Sequence, residues 1–390
     1  MQLSRRSAWP AGPSPWSATV AAAKTAIAFD LTASNPTAVG LTHAPEVYAS
    51  LGDAGNARYT PDAWGLREAR EAVAAYYERR GRNVDPDRVW LCASTSEAYA
   101  QLLTLLADPG DAIVVPQPGY PLFDMLGDAT GVRRVGYPLA FDGHWYLDAA
   151  GLRAALSEEP RARAIVVVAP HNPTGHVPTP DEWTTLQHVA RDFDVPLLVD
   201  EVFADYPLGP TPSRISIDDE SGPCVVMSGL SKVAALPQLK LSWVVFHGQG
   251  PALAELRRRA ELLADAFLSV ATPVQRALPS LLAAAEDIQP RILARLHDNR
   301  RRLEAAVRDT AIDALPSTAG WTAVLRLPVV NELDDLGWAR QLLEAGVLVQ
   351  PGFLFDLPAP PRVTVSLLTP EPTFAAGIER LVQHVAAVVA

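Results

Sequence analysis

Six short runs of almost unbroken apolar residues, many of them β-branched, predict strands over Val89–Ala93, Ala112–Pro116, Ala164–Ala169, Pro196–Asp200, Cys224–Ser228 and Ser242–His247. Between them apolar residues return at three- and four-residue spacing, which predicts helices over Thr95–Ala107, Asp148–Leu156 and Asp181–Phe193. Strands that carry almost no polar residue on either side must be covered on both faces. Their alternation with helices implies an α/β fold built on a mainly parallel sheet. After about Pro279 the pattern changes to a charged helix (Gln289–Arg308), short strands around Trp321–Leu327 and Arg362–Leu367, and a terminal helix. That shift predicts a second, smaller α+β domain. The segment before about Ser50 is too short for a domain of its own and is expected to pack with the C-terminal part. The expected division is 46–284 for the large domain, with 1–45 and 285–390 forming the small one. There is no internal repeat and no low-complexity segment.

In open parallel sheets ligands bind beyond the carboxyl ends of the strands, so the residues just after each strand carry the functional signal. After the first strand stands "ASTSEAYAQLL". Ser94 followed by Glu97 is a capping box, and Ser94, Thr95 and Ser96 at a helix start present amides and hydroxyls to an anion such as phosphate. A capped helix with no ligand has the same pattern. After the second strand, Tyr120 in "PQPGYPLF" sits on a turn, either as a stacking platform or as a surface aromatic. After the third, Asn172 in "APHNPTG" is placed to donate to a ligand oxygen, or serves only as a turn residue. After the fourth, Asp200 in "LLVDEVFADY" ends a wholly apolar strand. A carboxylate buried there needs a cation or hydrogen-bond donors beside it.

The fifth strand leads into "MSGLSKVAALPQLKLSW", which holds Lys232 and Lys240; the only other lysine in the chain is Lys24. Arginine carries the rest of the positive charge, so solubility does not explain these two lysines. An amine among apolar side chains has its pKa lowered and becomes a nucleophile and a base, which arginine cannot do. A phosphate cup, a stacking ring, an oxygen donor, a carboxylate and a lysine able to form an imine are the parts that pyridoxal phosphate requires.

Composition narrows the class further. At 390 residues the chain is long enough for a large core, and a net charge of −11 argues against nucleic-acid and anionic-membrane surfaces. Cys92 and Cys224 lie in apolar strands and read as reduced core thiols, hence a reducing compartment. Arg5 and Arg6 begin a faint imitation of a signal peptide, but Pro10, Pro13 and Pro15 break its centre, and no apolar run approaches the ~20 residues of a membrane span. The expected location is the cytoplasm.

"HNPTG", "DEVFADY" and "SGLSKVAALPQLKLSW", with "YTPDAWGLREAREAV" upstream and "PRVTVSL" near the end, resemble the class I/II pyridoxal-phosphate-dependent aminotransferases of the aspartate aminotransferase fold. The resemblance runs in order from Asn35 to Leu367. It implies fold type I, with a mainly parallel seven-stranded sheet in the cofactor-binding domain, and a homodimer whose active sites lie at the subunit interface. It implies Lys232 as the imine-forming lysine and base, Asp200 as counter-ion of the ring nitrogen, and Asn172 as donor to the ring oxygen. Tyr120 would stack on the ring, Ser94, Thr95 and Ser96 would hold the phosphate, and Ser228 and Ser231 would lie beside it. Tyr59 would reach the phosphate from the second subunit. Arg362 would clamp the substrate α-carboxylate, with Ser34 and Asn172 beside it. The chain departs from the family where Phe203 replaces a tyrosine that donates to the ring oxygen, and where Lys240 replaces a phosphate-gripping arginine. Gly229 and Ser242 also replace a frequent serine and a frequent glycine.

The function implied is transfer of an amino group between an amino acid and a 2-oxo acid, in specialised metabolism if composition is a guide. The two departures leave open a lyase, racemase or cyclase on the same cofactor, because one fold hosts many chemistries. A transcription regulator with a cofactor-sensing domain would need a basic DNA-binding module. A nicotinamide oxidoreductase would need a Gly-rich turn where "CASTSEA" stands.

Overall fold

The computed structural model of the chain describes residues 3–9, 12–217 and 222–390. Its central sheet is built from β1 (Val89–Cys92), β2 (Ala112–Gln117), β3 (Arg133–Phe141), β4 (Trp145–Leu147), β5 (Ala162–Val168), β6 (Leu197–Asp200), β7 (Cys224–Gly229) and β8 (Ser242–His247). The spatial order is β1-β8-β7-β6-β5-β2-β3-β4. Neighbours from β7 through β3 pair parallel, while β8 lies antiparallel to both β1 and β7.

Alternate residues of these strands enter two different cores. Leu91, Val114, Val167, Val199, Val226 and Val245 face one layer of helices, and Trp90, Val115, Val166, Leu198, Val225 and Val244 face the other. With helices on both faces of these six strands, neither of their sides meets water, which is why they read as continuous apolar runs.

The sheet has eight strands where seven were expected. Neither β3 nor β4 shows an apolar run: β3 is "RRVGYPLAF", with exposed and half-buried positions, and β4 folds back on it antiparallel at the sheet edge. An edge strand is shielded on fewer sides and needs less apolar sequence.

The charged helix begins earlier than the sequence pattern suggests. It runs unbroken from Thr272 to Val307 with Pro279 and Pro290 inside it, and prolines normally mark a helix boundary. Its buried residues up to Ala285 pack with the first core, and those from Ile288 onward pack with a third. That third core also takes Trp16, Leu31, Val39 and Leu41 from the N-terminal segment. It is covered by a small antiparallel sheet of β9 (Asp313–Ala314), β10 (Thr322–Arg326), β11 (Gln350–Pro351) and β12 (Arg362–Ser366), in the order β9-β10-β12-β11. Both cysteines are free and buried. Among the described residues no helix is long and apolar enough to cross a membrane.

Candidate active site

A cavity of about 350 Å³ lies between the strand ends of the large sheet and the small antiparallel sheet. From the large sheet it receives Thr95, Ser96, Tyr120, Asn172, Asp200, Phe203, Ser231 and Lys232. They come from the ends of five strands: Thr95 and Ser96 share the helix start after β1, Phe203 shares its loop with Asp200, and Ser231 shares its helix with Lys232. Thr322, Gln350, Thr364 and Ser366 approach from the small sheet, and Thr32 and Ser34 from the N-terminal segment.

The anion-facing end is set by local capping. Ser94 Oγ accepts the Glu97 N–H at 3.0 Å, and the Glu97 carboxylate accepts the Ala93 N–H at 2.5 Å. This starts the helix Thr95–Leu106 at a fixed point, with Thr95 and Ser96 in the first turn. First-turn N–H groups lack helical acceptors and lie at the positive end of the helix dipole, so this corner suits a phosphate.

Lys232 sits on the short helix Leu230–Val233. The Tyr206 hydroxyl donates to its backbone carbonyl, and the Gln289 side chain donates to that of Val233 at 2.8 Å, which holds the turn in place. Its Nζ lies 5.1 Å from the centre of the Trp321 ring and 5.6 Å from that of Phe203. Burial lowers the Lys232 pKa below the ordinary lysine value, and the Asp200 charge opposes the shift only in part. The amine is therefore held nearer to its neutral, nucleophilic form.

The two adjacent acids at the end of β6 part company. Burial pushes Asp200 up to about 6, against the Val202 N–H on Oδ1 at 3.1 Å and the Tyr99 hydroxyl on Oδ2 at 3.4 Å. Glu201 is raised by burial but pulled down further by Arg214 and Arg82, which pair with it at 2.7 and 3.1 Å. Glu201 is thus a fixed anion of the core, and Asp200 awaits a cation. Asn172 accepts the Thr322 hydroxyl at 3.3 Å through its carbonyl oxygen, which leaves the donating half of its amide for a ligand.

Other expected site residues do not line the cavity. Ser94 is spent on the helix cap. Ser228 is fully buried with its Oγ unpartnered. Lys240 is exposed, on a left-handed turn residue with φ 52°. Tyr59 is 74% exposed and lines a separate small groove. Arg362 is buried, with Nη1 donating to the Pro358 and Pro360 carbonyls and Nε without a partner. It shares its strand face with Thr364 and Ser366, which do line the cavity, since alternate residues of β12 point the same way. Sequence reasoning passed over Trp321, Phe355 and Tyr99. The first carried a faint signal, as an aromatic after a glycine in "AGWTAVL".

The comparisons agree with this geometry. The family model described as "Aminotransferase class I and II" matches residues 28–381. The alanine aminotransferase of Mycobacterium tuberculosis (strain ATCC 25618 / H37Rv) is 29% identical over 330 residues, 82% of this chain and 76% of that protein. The glutamate-pyruvate aminotransferase AlaA of Escherichia coli (strain K12) is 26% identical over 326 residues, 79% of this chain and 77% of that protein. In three dimensions the chain superposes on the alanine aminotransferase from Pyrococcus furiosus with a TM-score of 0.84 at 24% identity, covering 95% of each. A match from residue 28 to residue 381 takes in both the large sheet and the small one, and the chain belongs to the class I and II aminotransferases, pyridoxal-phosphate-dependent enzymes that move an amino group between an amino acid and a 2-oxo acid.

Proposed function

We propose that this aminotransferase takes a neutral amino acid as donor and a small 2-oxo acid such as pyruvate as acceptor. The observation that carries the reading is the wall of the cavity: Trp321 and Phe203 flank the Lys232 amine, Phe355 and Tyr120 pack together elsewhere in the lining, and Lys232 is the only lysine or arginine among the described lining residues. An apolar wall favours an apolar side chain and penalises an unpaired carboxylate. The names of the relatives, alanine and glutamate-pyruvate aminotransferase, support the same class.

The residues present fit the cofactor, since one cavity offers an amine whose pKa burial lowers, an acid in need of a cation and a helix start open to a phosphate. When bound, pyridoxal phosphate supplies an aldehyde for amines and an electron sink for charge at the substrate α-carbon. Lys232 would hold its aldehyde and shuttle the α-proton. Asp200 would keep its ring nitrogen protonated, Asn172 would donate to its ring oxygen, and Tyr120 would cover one face. Thr95 and Ser96 would hold the phosphate, with Ser94 fixing the helix and Ser228, Ser231 and Lys240 nearby. Phe203 would offer an apolar contact with no hydroxyl. Arg362 would turn from the Pro358 and Pro360 carbonyls to the substrate carboxylate, beside Ser34. In a homodimer Tyr59 would serve the other subunit's phosphate. We further assign 46–284 to a cofactor domain, 1–45 with 285–390 to a smaller one, and the enzyme to the cytoplasm.

A panel of amino donors tests the substrate class: kcat/KM should be highest for neutral donors such as alanine and lower for aspartate, and a preference for aspartate would sink the reading. The Arg362 role predicts that Arg362→Ala lowers kcat/KM by at least roughly 30-fold for every donor alike, because the α-carboxylate is common to all. A loss confined to one donor would make Arg362 a side-chain selector instead.

A further inference from the structure

Tyr99 lies on the helix Thr95–Leu106, one turn beyond the residues that face the phosphate corner, and is fully buried. Its ring is packed edge-on against Phe123 at 5.1 Å, and Phe123 lines the cavity. A buried phenol needs a partner for its hydroxyl. Here that partner is Asp200 Oδ2 at 3.4 Å, and the other oxygen, Oδ1, takes the Val202 N–H. Each oxygen of the carboxylate therefore has one donor of its own, from a different element, so the plane of the group is fixed from two sides. Burial holds the Tyr99 phenol well above its ordinary pKa, with the Asp200 charge adding to the effect, so it remains a donor wherever the protein is folded.

We propose that Tyr99 is a positioning residue for Asp200, its phenol orienting the carboxylate and favouring the ionised form that a cationic ring nitrogen requires. The proposal rests on the reading of Asp200 as that counter-ion. Other groups also act on Asp200. Burial raises it, the Glu201 charge raises it slightly, and Lys232 across the cavity lowers it. Glu201 is committed to Arg82 and Arg214, and the Lys232 amine is the group that would hold the cofactor. Tyr99 and the Val202 N–H are the two donors that reach the carboxylate itself.

The test is the affinity of the cofactor-free protein for pyridoxal phosphate as a function of pH, measured for the wild type, Tyr99→Phe and Asp200→Asn. Tyr99→Phe keeps the ring and its packing on Phe123 and removes one hydroxyl. Affinity should fall on the acid side as Asp200 takes up a proton. Tyr99→Phe should move that limb to higher pH by about half a unit to one unit, a roughly 3–10-fold loss of affinity at a pH on the limb and little change above it. Asp200→Asn should abolish the limb. A limb unmoved in Tyr99→Phe, or a loss equal at every pH as a merely structural role would give, overturns the assignment of Tyr99. A limb that survives in Asp200→Asn does not belong to Asp200, and overturns the counter-ion reading and the inference with it.

Discussion

Lys232→Ala is expected to lose transamination by roughly 10⁴-fold or more, since it removes both the attachment point of the cofactor and the base that moves the α-proton. The reason is specific to the place. Among the described residues Lys232 is the only lysine that lines the cavity, its turn is tethered by Tyr206 and Gln289, and burial makes its amine easier to deprotonate than an ordinary lysine. Lys240, eight residues on, is exposed and cannot replace it. Borohydride reduction of the loaded enzyme followed by peptide mapping should find the pyridoxyl group on Lys232. A label on Lys24 or Lys240 would sink the assignment.

Asp200→Asn should lower kcat by about 10²–10³-fold, the loss typical when one preorganised electrostatic group is removed from an active site. The pH behaviour of the ligand-free protein follows from the same residue. Asp200 stands at about 6 in the folded chain against an ordinary 3.8. Between those values the folded state holds a proton that the unfolded state has released, so this group's contribution to stability is lost as pH rises through the window. A cationic ring nitrogen reverses the sign, because it favours the carboxylate, and cofactor affinity should rise as pH passes upward through about 6. Thermal midpoints of the cofactor-free protein and dissociation constants, taken on either side of that pH, check the two trends. Equal affinities on both sides would contradict the counter-ion role.

The parts of the fold and site that were legible share a physical cause. Strands buried on both faces must be apolar throughout, so β1, β2, β5, β6, β7 and β8 announced themselves, and the residues just after β1, β2, β5, β6 and β7 converge because those five strands point the same way and end on one rim, while β8 runs opposite to them. What stayed hidden depends on tertiary context. The edge strand β4 and its neighbour β3, which β4 covers over only three residues, need no apolar run, and Pro279 and Pro290 are absorbed into a helix that packs with two cores. Trp321 enters the site from the position just before β10, more than 80 residues after Lys232, and its meeting with Phe203 at 5.3 Å depends on how the small sheet docks. The Tyr99 hydroxyl meets Asp200 across 101 residues of sequence. No local spacing encodes either contact.

The central claim is amino-group transfer in this cavity, and a half-reaction tests it most directly. The enzyme loaded with pyridoxal phosphate is mixed with excess ¹⁵N-labelled alanine and no acceptor, and pyruvate, ammonium and the label on the cofactor are counted. The account predicts one equivalent of pyruvate per active site, no free ammonium, the label retained on the cofactor, and release of labelled alanine once unlabelled pyruvate is added. Free ammonium, or pyruvate formed beyond one equivalent without an acceptor, would show a lyase and contradict it.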